Sequence, residues 1–246
     1  MIAIPIEQRL QKKVRNSEPK FSRLRVAADA LARSTLRLEN AFYEYRLGIS
    51  THGLYNWLPG DWSTDEHLYY YATSYRRIFR ILDALRLGRS DTFIDLGCGK
   101  GRVTCCASLY PVGEVIGIED VQELCAVAEN NVRTLEPRRA KTRIVHCRAE
   151  EFDYSTGTVM YMFHPFGQRT LAAVLSQLAL GVQLNPRHVR IVYVNPVHEV
   201  VLRETKWLQL YDRWPPLRYL RTEIAQAVSF WKLADDHGRF INQPQS

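Results

Sequence analysis

Cysteine is scarce and unpaired in this chain: Cys98, Cys105, Cys106, Cys125 and Cys147 are odd in number and include no C-x-x-C pair. That pattern suggests neither a disulfide framework nor a zinc site, so reduced, mostly buried thiols are expected. No apolar run approaches the ~18 residues of a membrane span. The apolar start, Met1 to Glu7, is too short for a secretory signal. A cytoplasmic location is the resulting expectation. Internal repeats and low-complexity segments are also lacking.

What is present is a chain of 246 residues, 46% hydrophobic, a length that suits one domain with an appendage. The formal charge of +7 could serve an acidic partner such as nucleic acid or an anionic membrane. Most of that excess lies near the start, with ten Lys and Arg against five Asp and Glu up to Arg46. Leu24, Ala28, Leu31, Thr35, Leu38, Phe42 and Tyr45 recur at alternating steps of four and three, one helix face held over a heptad pattern. A cap helix lying on its own domain is expected, with a dimer through this helix as the alternative. Arg23, Arg25, Arg33 and Arg37 fall mostly off the stripe, as a solvated basic face or an RNA-binding one.

Gly48 to Trp62 is rich in glycine and aromatics without helical period, and reads as a long loop able to act as a lid. Ser63 with Glu66 forms a capping box for the next helix, whose stripe Tyr71, Tyr75, Ile78, Phe79, Leu82 and Leu85 runs to a stop at Gly88. Residues 1–65 are thus expected to form a basic helical cap and lid, and 66–246 the main domain. From Thr92 strand and helix patterns alternate, the mark of a parallel sheet covered on both faces. Strands are expected at 92–95, 115–118, 143–147, 158–163 and 189–194. The helix after the second strand should be capped by Asp120 with Glu123, and the one after the fourth should stop at Gly181. Residues 207–211 and 227–233, flanking Trp214-Pro215-Pro216, are candidate closing strands, and the polar tail after Asp235 is expected to fray.

The organising stretch is Phe93-Ile94-Asp95-Leu96-Gly97-Cys98-Gly99-Lys100-Gly101-Arg102. An apolar strand meets an aspartate, glycines at alternate positions and a helix start, the elements of a nucleotide cradle. The spacing is G-x-G-x-G rather than the dinucleotide G-x-G-x-x-G. With its aspartate it resembles motif I of the class I S-adenosylmethionine-dependent methyltransferases. The resemblance implies an α/β, Rossmann-like, seven-stranded and mostly parallel sheet with S-adenosyl-L-methionine as cofactor. Asp95, Gly97, Cys98, Gly99 and Gly101 would lie along the cofactor, the glycines by close main-chain approach. Glu119, with Asp120 beside it, ends the second strand, where an acceptor-only carboxylate can take both ribose hydroxyls. After the third strand the family's Asp-Ala pair becomes Arg148-Ala149, followed by Glu150. Either Glu150 accepts from the adenine amine with Ala149 offering its N–H, or the strand is displaced by a residue or two. Tyr70 and Thr73 occupy positions where similar enzymes close the cofactor pocket.

His164-Pro165-Phe166-Gly167 resembles the Asn/Asp-Pro-Pro-Tyr/Phe element of amino methyltransferases, with His in the polar position and one proline missing. His164 could remove a proton from the acceptor or be a structural loop histidine, and Phe166 could pack on the target nitrogen. Asn195 and His198 could border the acceptor site or form a turn and an exposed helix residue. Displacement at an activated sulfonium methyl requires no metal. The layout also resembles Rossmann-type lysine methyltransferases, so N-methylation of a protein lysine or a small-molecule amine is the leading expectation. The alternatives are an RNA methyltransferase, favoured by the basic start, and a non-catalytic S-adenosylmethionine-binding scaffold, suggested by Arg148 and the altered turn.

Overall fold

Side chains alternate along the central strands and feed two separate cores. Phe93, Val115, Val159, Tyr161, Val192 and Val194 enter one, while Ile94, Leu96, Ile116, Ile118, Met160, Met162 and Tyr193 enter the other. Strands apolar on both faces must be covered on both, which is why the intervening segments are amphipathic helices. The structure is a computed structural model and describes residues 18–52, 73–219 and 222–234.

In chain order the elements are α1 (Glu18–Leu47), α2 (Tyr75–Leu85), β1 (Thr92–Leu96), α3 (Arg102–Ala107), β2 (Glu114–Glu119), α4 (Gln122–Thr134), β3 (Lys141–His146), a 3-10 turn (Ala149–Glu151), β4 (Val159–Phe163), α5 (Gln168–Leu184), β5 (Arg190–Val194), α6 (Glu199–Glu204), β6 (Leu208–Trp214), β7 (Leu217–Tyr219), β8 (Thr222–Ala225) and β9 (Val228–Leu233). The main sheet has seven strands in the order β3-β2-β1-β4-β5-β9-β6. β1 to β5 run parallel, and β9 lies antiparallel between β5 and β6. The fold is α/β and Rossmann-like, as the sequence implies. The hairpin β7–β8, a separate two-stranded sheet, has no counterpart in the sequence reading.

Four local expectations need correction. The start of α2 is Tyr75, with Ser74 in extended geometry (φ −61°, ψ 146°) accepting from the Arg77 amide; its end is at Leu85, where Arg86 turns left-handed (φ 48°), before Gly88 is reached. The capping box at Ser63 and Glu66, the rest of the lid loop from residue 53 and Tyr70 lie outside the described residues. Asp120 does not cap α4, whose N-cap is Val121 without a side-chain bond; the neighbouring Glu119 Oε1 takes the amides of Asp120 and Val121 instead. α5 runs through Gly181 to Leu184. A Cβ at Gly181 would sit 3.1 Å from the Tyr154 carbonyl carbon, so that glycine serves close packing rather than termination.

The fourth correction concerns α1. Its heptad stripe does not lie on the domain: Leu31, Leu38, Phe42 and Tyr45 are 59%, 72%, 56% and 91% exposed. Thr35, on the same stripe, returns its hydroxyl to the Leu31 carbonyl (2.9 Å). The face turned inward carries Asn40, Tyr43, Glu44 and Leu47, of which Glu44 and Leu47 are buried. Tyr43 stacks on Tyr75 with centroids 5.0 Å apart. A polar group, not the apolar stripe, decides which side docks.

That group is Glu44. Its Oε1 accepts from the Thr51 amide (2.9 Å), the Thr51 hydroxyl (2.7 Å) and Arg102 Nη2 (3.3 Å), and Oε2 meets His52 Nδ1 at 2.5 Å. Burial raises its pKa, but the bonds from Thr51 and His52, with Arg102 beside them, win and hold it below the usual carboxylate range. Arg102 also donates to Thr51 Oγ1 (2.7 Å), the Thr73 carbonyl (3.1 Å) and Asn40 Oδ1 (3.2 Å), and lies 4.6 Å from the Tyr75 ring centroid. Removing one partner of a buried ion pair strands the other charge and costs about 3–5 kcal/mol, whereas replacing both by apolar groups is often tolerated. Arg102→Met should therefore lower the unfolding free energy in urea by about 3–5 kcal/mol, and adding Glu44→Leu should return a large part of it. A loss below about 1 kcal/mol in the single variant would contradict this role for the pair.

Candidate functional site

The strand order reverses between β1 and β4, and in open α/β sheets the crevice beyond the carboxyl ends of such strands receives ligands. The sequence-derived site residues at these strand ends meet there. Gly97, Gly99 and Gly101 all have left-handed backbones (φ 66°, 55° and 78°), which side chains disfavour. Two of them also face close neighbours: a Cβ on Gly97 would lie 2.6 Å from Pro165 Cβ, and one on Gly101 would lie 3.1 Å from Ala128 Cβ on α4. The turn after β1 and the His-Pro-Phe turn after β4 are thus in contact. The Cys98 amide donates to the Ile118 carbonyl (2.9 Å), tying the turn to β2. The Cys98 thiol points inward, where Gly117 leaves room for it: a Cβ on Gly117 would meet Cys98 Sγ at 2.9 Å.

The two carboxylates differ in task. Asp95 Oδ2 accepts from the Thr104 amide (3.0 Å) and hydroxyl (2.7 Å); it is buried and braces α3 against the turn. Burial pushes its pKa up to about 7 against those two bonds. Glu119 Oε2 accepts from the Gly99 amide (2.8 Å), and its Oε1 holds the amides that open α4 (3.1 and 3.2 Å). Burial outweighs these donors too and pushes Glu119 up to about 7, with the neighbouring Asp120 adding to the rise. Glu119 therefore sets the shape of the glycine turn while presenting acceptor oxygens beside it.

The remaining candidates are more varied. Thr73 is buried, with its hydroxyl 3.2 Å from Tyr161 OH and its carbonyl bound by Arg102. Asp120 is exposed, and its carbonyl lies 3.1 Å from His146 Nε2. Ala149 opens the 3-10 turn, and its carbonyl is held by Tyr154 OH (2.8 Å). Glu150 is ion-paired with Arg148, so its carboxylate has a local partner. Phe166 is only 8% exposed and packs in the core with Leu171 and Leu175, a position less open than an acceptor-facing ring would have. His164 is half-buried in a left-handed conformation (φ 39°). Its Nδ1 lies 3.1 Å from Tyr193 OH, and its ring centroid is 5.0 Å from that of His198. Asn195 is also left-handed (φ 52°), forming the turn between β5 and α6. Among the described residues no cluster of His, Cys, Asp and Glu could hold a metal ion.

Sequence reasoning missed the tether beneath the turn. Lys100 Nζ donates to the His52 carbonyl (2.8 Å). Asn131 donates to the Lys100 and Ser50 carbonyls (2.8 and 3.0 Å) and accepts from the Ser50 amide (2.9 Å). One signal was available: Arg102 opens a helix, where the dipole disfavours a cation, so a carboxylate partner had to come from elsewhere. Tyr193 was also missed, since in a strand it reads as one more apolar residue.

Residues 63–157 match the family model described as histone methylation protein DOT1. Over 60 residues the chain is 42% identical to an uncharacterized methyltransferase of Schizosaccharomyces pombe, a stretch covering 24% of this chain and 21% of that one. The chain thus spans about a fifth of that relative's length. Among solved structures, a dimethyladenosine transferase from Plasmodium falciparum superposes with TM-score 0.52 at 10% identity, covering 70% of this chain and 66% of that one. An RNA methyltransferase from Salinibacter ruber, solved with S-adenosyl-L-homocysteine, gives TM-score 0.49 at 18% identity, covering 72% and 98%. The family model's match spans β1 to β3, which carry the glycine turn and Glu119, and with the sheet order it makes this chain similar to the class I, Rossmann-like S-adenosylmethionine-dependent methyltransferases.

Proposed function

We propose that the chain transfers the methyl group of S-adenosylmethionine to a nitrogen of a protein acceptor, a lysine side chain in the leading reading. The observation that carries this is the match to the histone methylation model over the segment holding both the glycine turn and Glu119. The residues fit the cofactor chemically. Glu119 brings acceptor oxygens to a strand end, as vicinal ribose hydroxyls require, and the glycines open the main chain to close approach. The bound cofactor supplies a methyl group already activated by its sulfonium.

The chain's own residues then align and shield. Glu119, with Asp120 beside it, would hold the ribose; Gly97, Gly99 and Gly101, with the Cys98 main chain and the Asp95 brace, would shape the wall along the methionine part. Glu150 would accept from the adenine amine once Arg148 yields its carboxylate, with Ala149 offering its main-chain N–H to the adenine ring. Thr73, and Tyr70 ahead of it, would close the pocket. His164 and Phe166 would border the acceptor, across the contact between Gly97 and Pro165. Alignment alone can supply about 7 kcal/mol or more of barrier lowering, so no covalent residue is needed.

A second reading, methylation of RNA, has its own observation in the ten basic residues against five acidic ones up to Arg46. Incubating the protein with tritiated S-adenosylmethionine and fractionated lysate separates the readings. Label in protein, recovered as methyl-lysine, is expected. Label in RNA, with salt-sensitive binding lost on deleting residues 1–47, would favour the second reading. Cofactor binding with no label in any fraction would mean a non-catalytic binding protein.

The raised pKa of Glu119 makes a further prediction. A ribose needs the carboxylate form, which is scarce below about pH 7. Affinity for S-adenosylmethionine should therefore rise with pH toward about 7, by up to tenfold per unit on the acid side, and level off above it. Glu119→Gln should bind weakly and lose this dependence. Stability of the unliganded protein carries the opposite sign. The contribution of a carboxyl raised from 4.5 to about 7 is full below pH 4.5 and is lost as pH rises through 7. Calorimetric titrations from pH 5.5 to 8.5 check the affinity, and a flat wild-type profile would contradict the assignment.

A further inference from the structure

We infer that Tyr193 is a positioning residue for His164, fixing the neutral imidazole as the tautomer that carries its proton on Nε2. Tyr193 ends β5 one residue from the strand's last position, on the sheet face covered by α5 and α6, and its ring is buried. Its hydroxyl oxygen accepts from the His198 amide (3.3 Å), a main-chain donor with no freedom to reverse the bond. The hydroxyl's own proton then has one partner in the described surroundings, His164 Nδ1 at 3.1 Å. If His164 instead donated from Nδ1, the phenol would accept twice and leave its buried O–H unpaired, an arrangement that folded proteins avoid. Burial pushes the Tyr193 phenol up to about 12, so it keeps the proton it must donate.

The backbone supports the same geometry. His164 is held in the left-handed region (φ 39°), which a non-glycine residue adopts only where its neighbours fix it. Pro165 follows immediately, pressed against Gly97, and the ring lies nearly parallel to that of Tyr193, at 28° with centroids 6.5 Å apart. The lone pair of the neutral ring is thereby committed to Tyr193, and Nε2 presents an N–H. An acceptor that meets this ring therefore meets an N–H donor, which orients it, and not a base that removes its proton. This assignment rests on the methyl-transfer reading only for its kinetic consequence.

The test is long-range proton–nitrogen correlation on the full-length protein labelled with ¹⁵N-histidine, at pH 8, with the His164 signals identified by their loss in His164→Gln. The wild type should show a single neutral form protonated at Nε2. Tyr193→Phe, which keeps the buried ring, should show His164 moving toward a mixture of tautomers. A proton on Nδ1 in the wild type, or an unchanged pattern in Tyr193→Phe, would overturn the inference. The wild-type spectrum alone is decisive should the variant fold poorly. Where methyl transfer is measured, Tyr193→Phe should lower kcat by about tenfold or more with the KM for S-adenosylmethionine unchanged. The spectrum reads the tautomer whether or not the protein transfers a methyl group, so the two readings can fail separately.

Discussion

The buried pair of Glu44 and Arg102 ties the amino-terminal helix to the residue that opens the helix behind the glycine turn. An ion pair taken out of water is sustained only when its remaining hydrogen-bonding capacity is filled. Here Thr51, Asn40 and the Thr73 carbonyl fill it. Of these, Thr51 and Thr73 lie in the segment between α1 and α2, one near each end. The contact that holds α1 therefore also brings Thr51 and Thr73 to Arg102, next to the glycine turn, and Lys100 in the turn and Asn131 on α4 add bonds to residues 52 and 50. Among the described residues, the end of α1 and residues 48–52 thus brace the glycine turn.

Above this base the site is organised by two buried carboxylates. Asp95 faces α3 and Glu119 faces Gly99, and burial raises both toward neutrality. On the proposed ribose role, a Glu119 raised in the unliganded protein couples cofactor affinity to proton release. On the other side of Gly97 the turn at His164 and Pro165 is in van der Waals contact, so the elements proposed for cofactor and acceptor share one wall. The pairing of β1 with β4 produces this contact, because it sets the carboxyl ends of two strands distant in sequence side by side.

Much of this was legible because periodic patterns report directly on burial. Each parallel strand is legible within a residue or two, since two-sided apolar runs leave few alternatives; of the closing pair β9 is legible as well, whereas the half-exposed β6 extends to Trp214, three residues beyond the expected end. Glu119 was legible from its position after β2. The errors have physical causes. The heptad stripe of α1 was assigned to the domain, but Glu44, which lies off it, sets the docking face through a bond to a residue 58 positions away. Gly181 reads locally as a helix stop, and only the Tyr154 backbone against it shows why a glycine stands there. Asp120 has the composition of a cap, yet the adjacent Glu119 reaches the amides first. In the acceptor region, Tyr193 differs from its apolar strand neighbours by one hydroxyl, whose meaning depends on where His164 lies.

The central claim is that the turn from Gly97 to Gly101, shaped by Glu119, is where S-adenosylmethionine binds. Calorimetric titration of S-adenosyl-L-homocysteine into the wild type and into Gly99→Arg, each verified as folded by circular dichroism, tests it most directly. The account predicts saturable one-to-one binding to the wild type and none detectable to the variant. Equal affinity in the two proteins would contradict it.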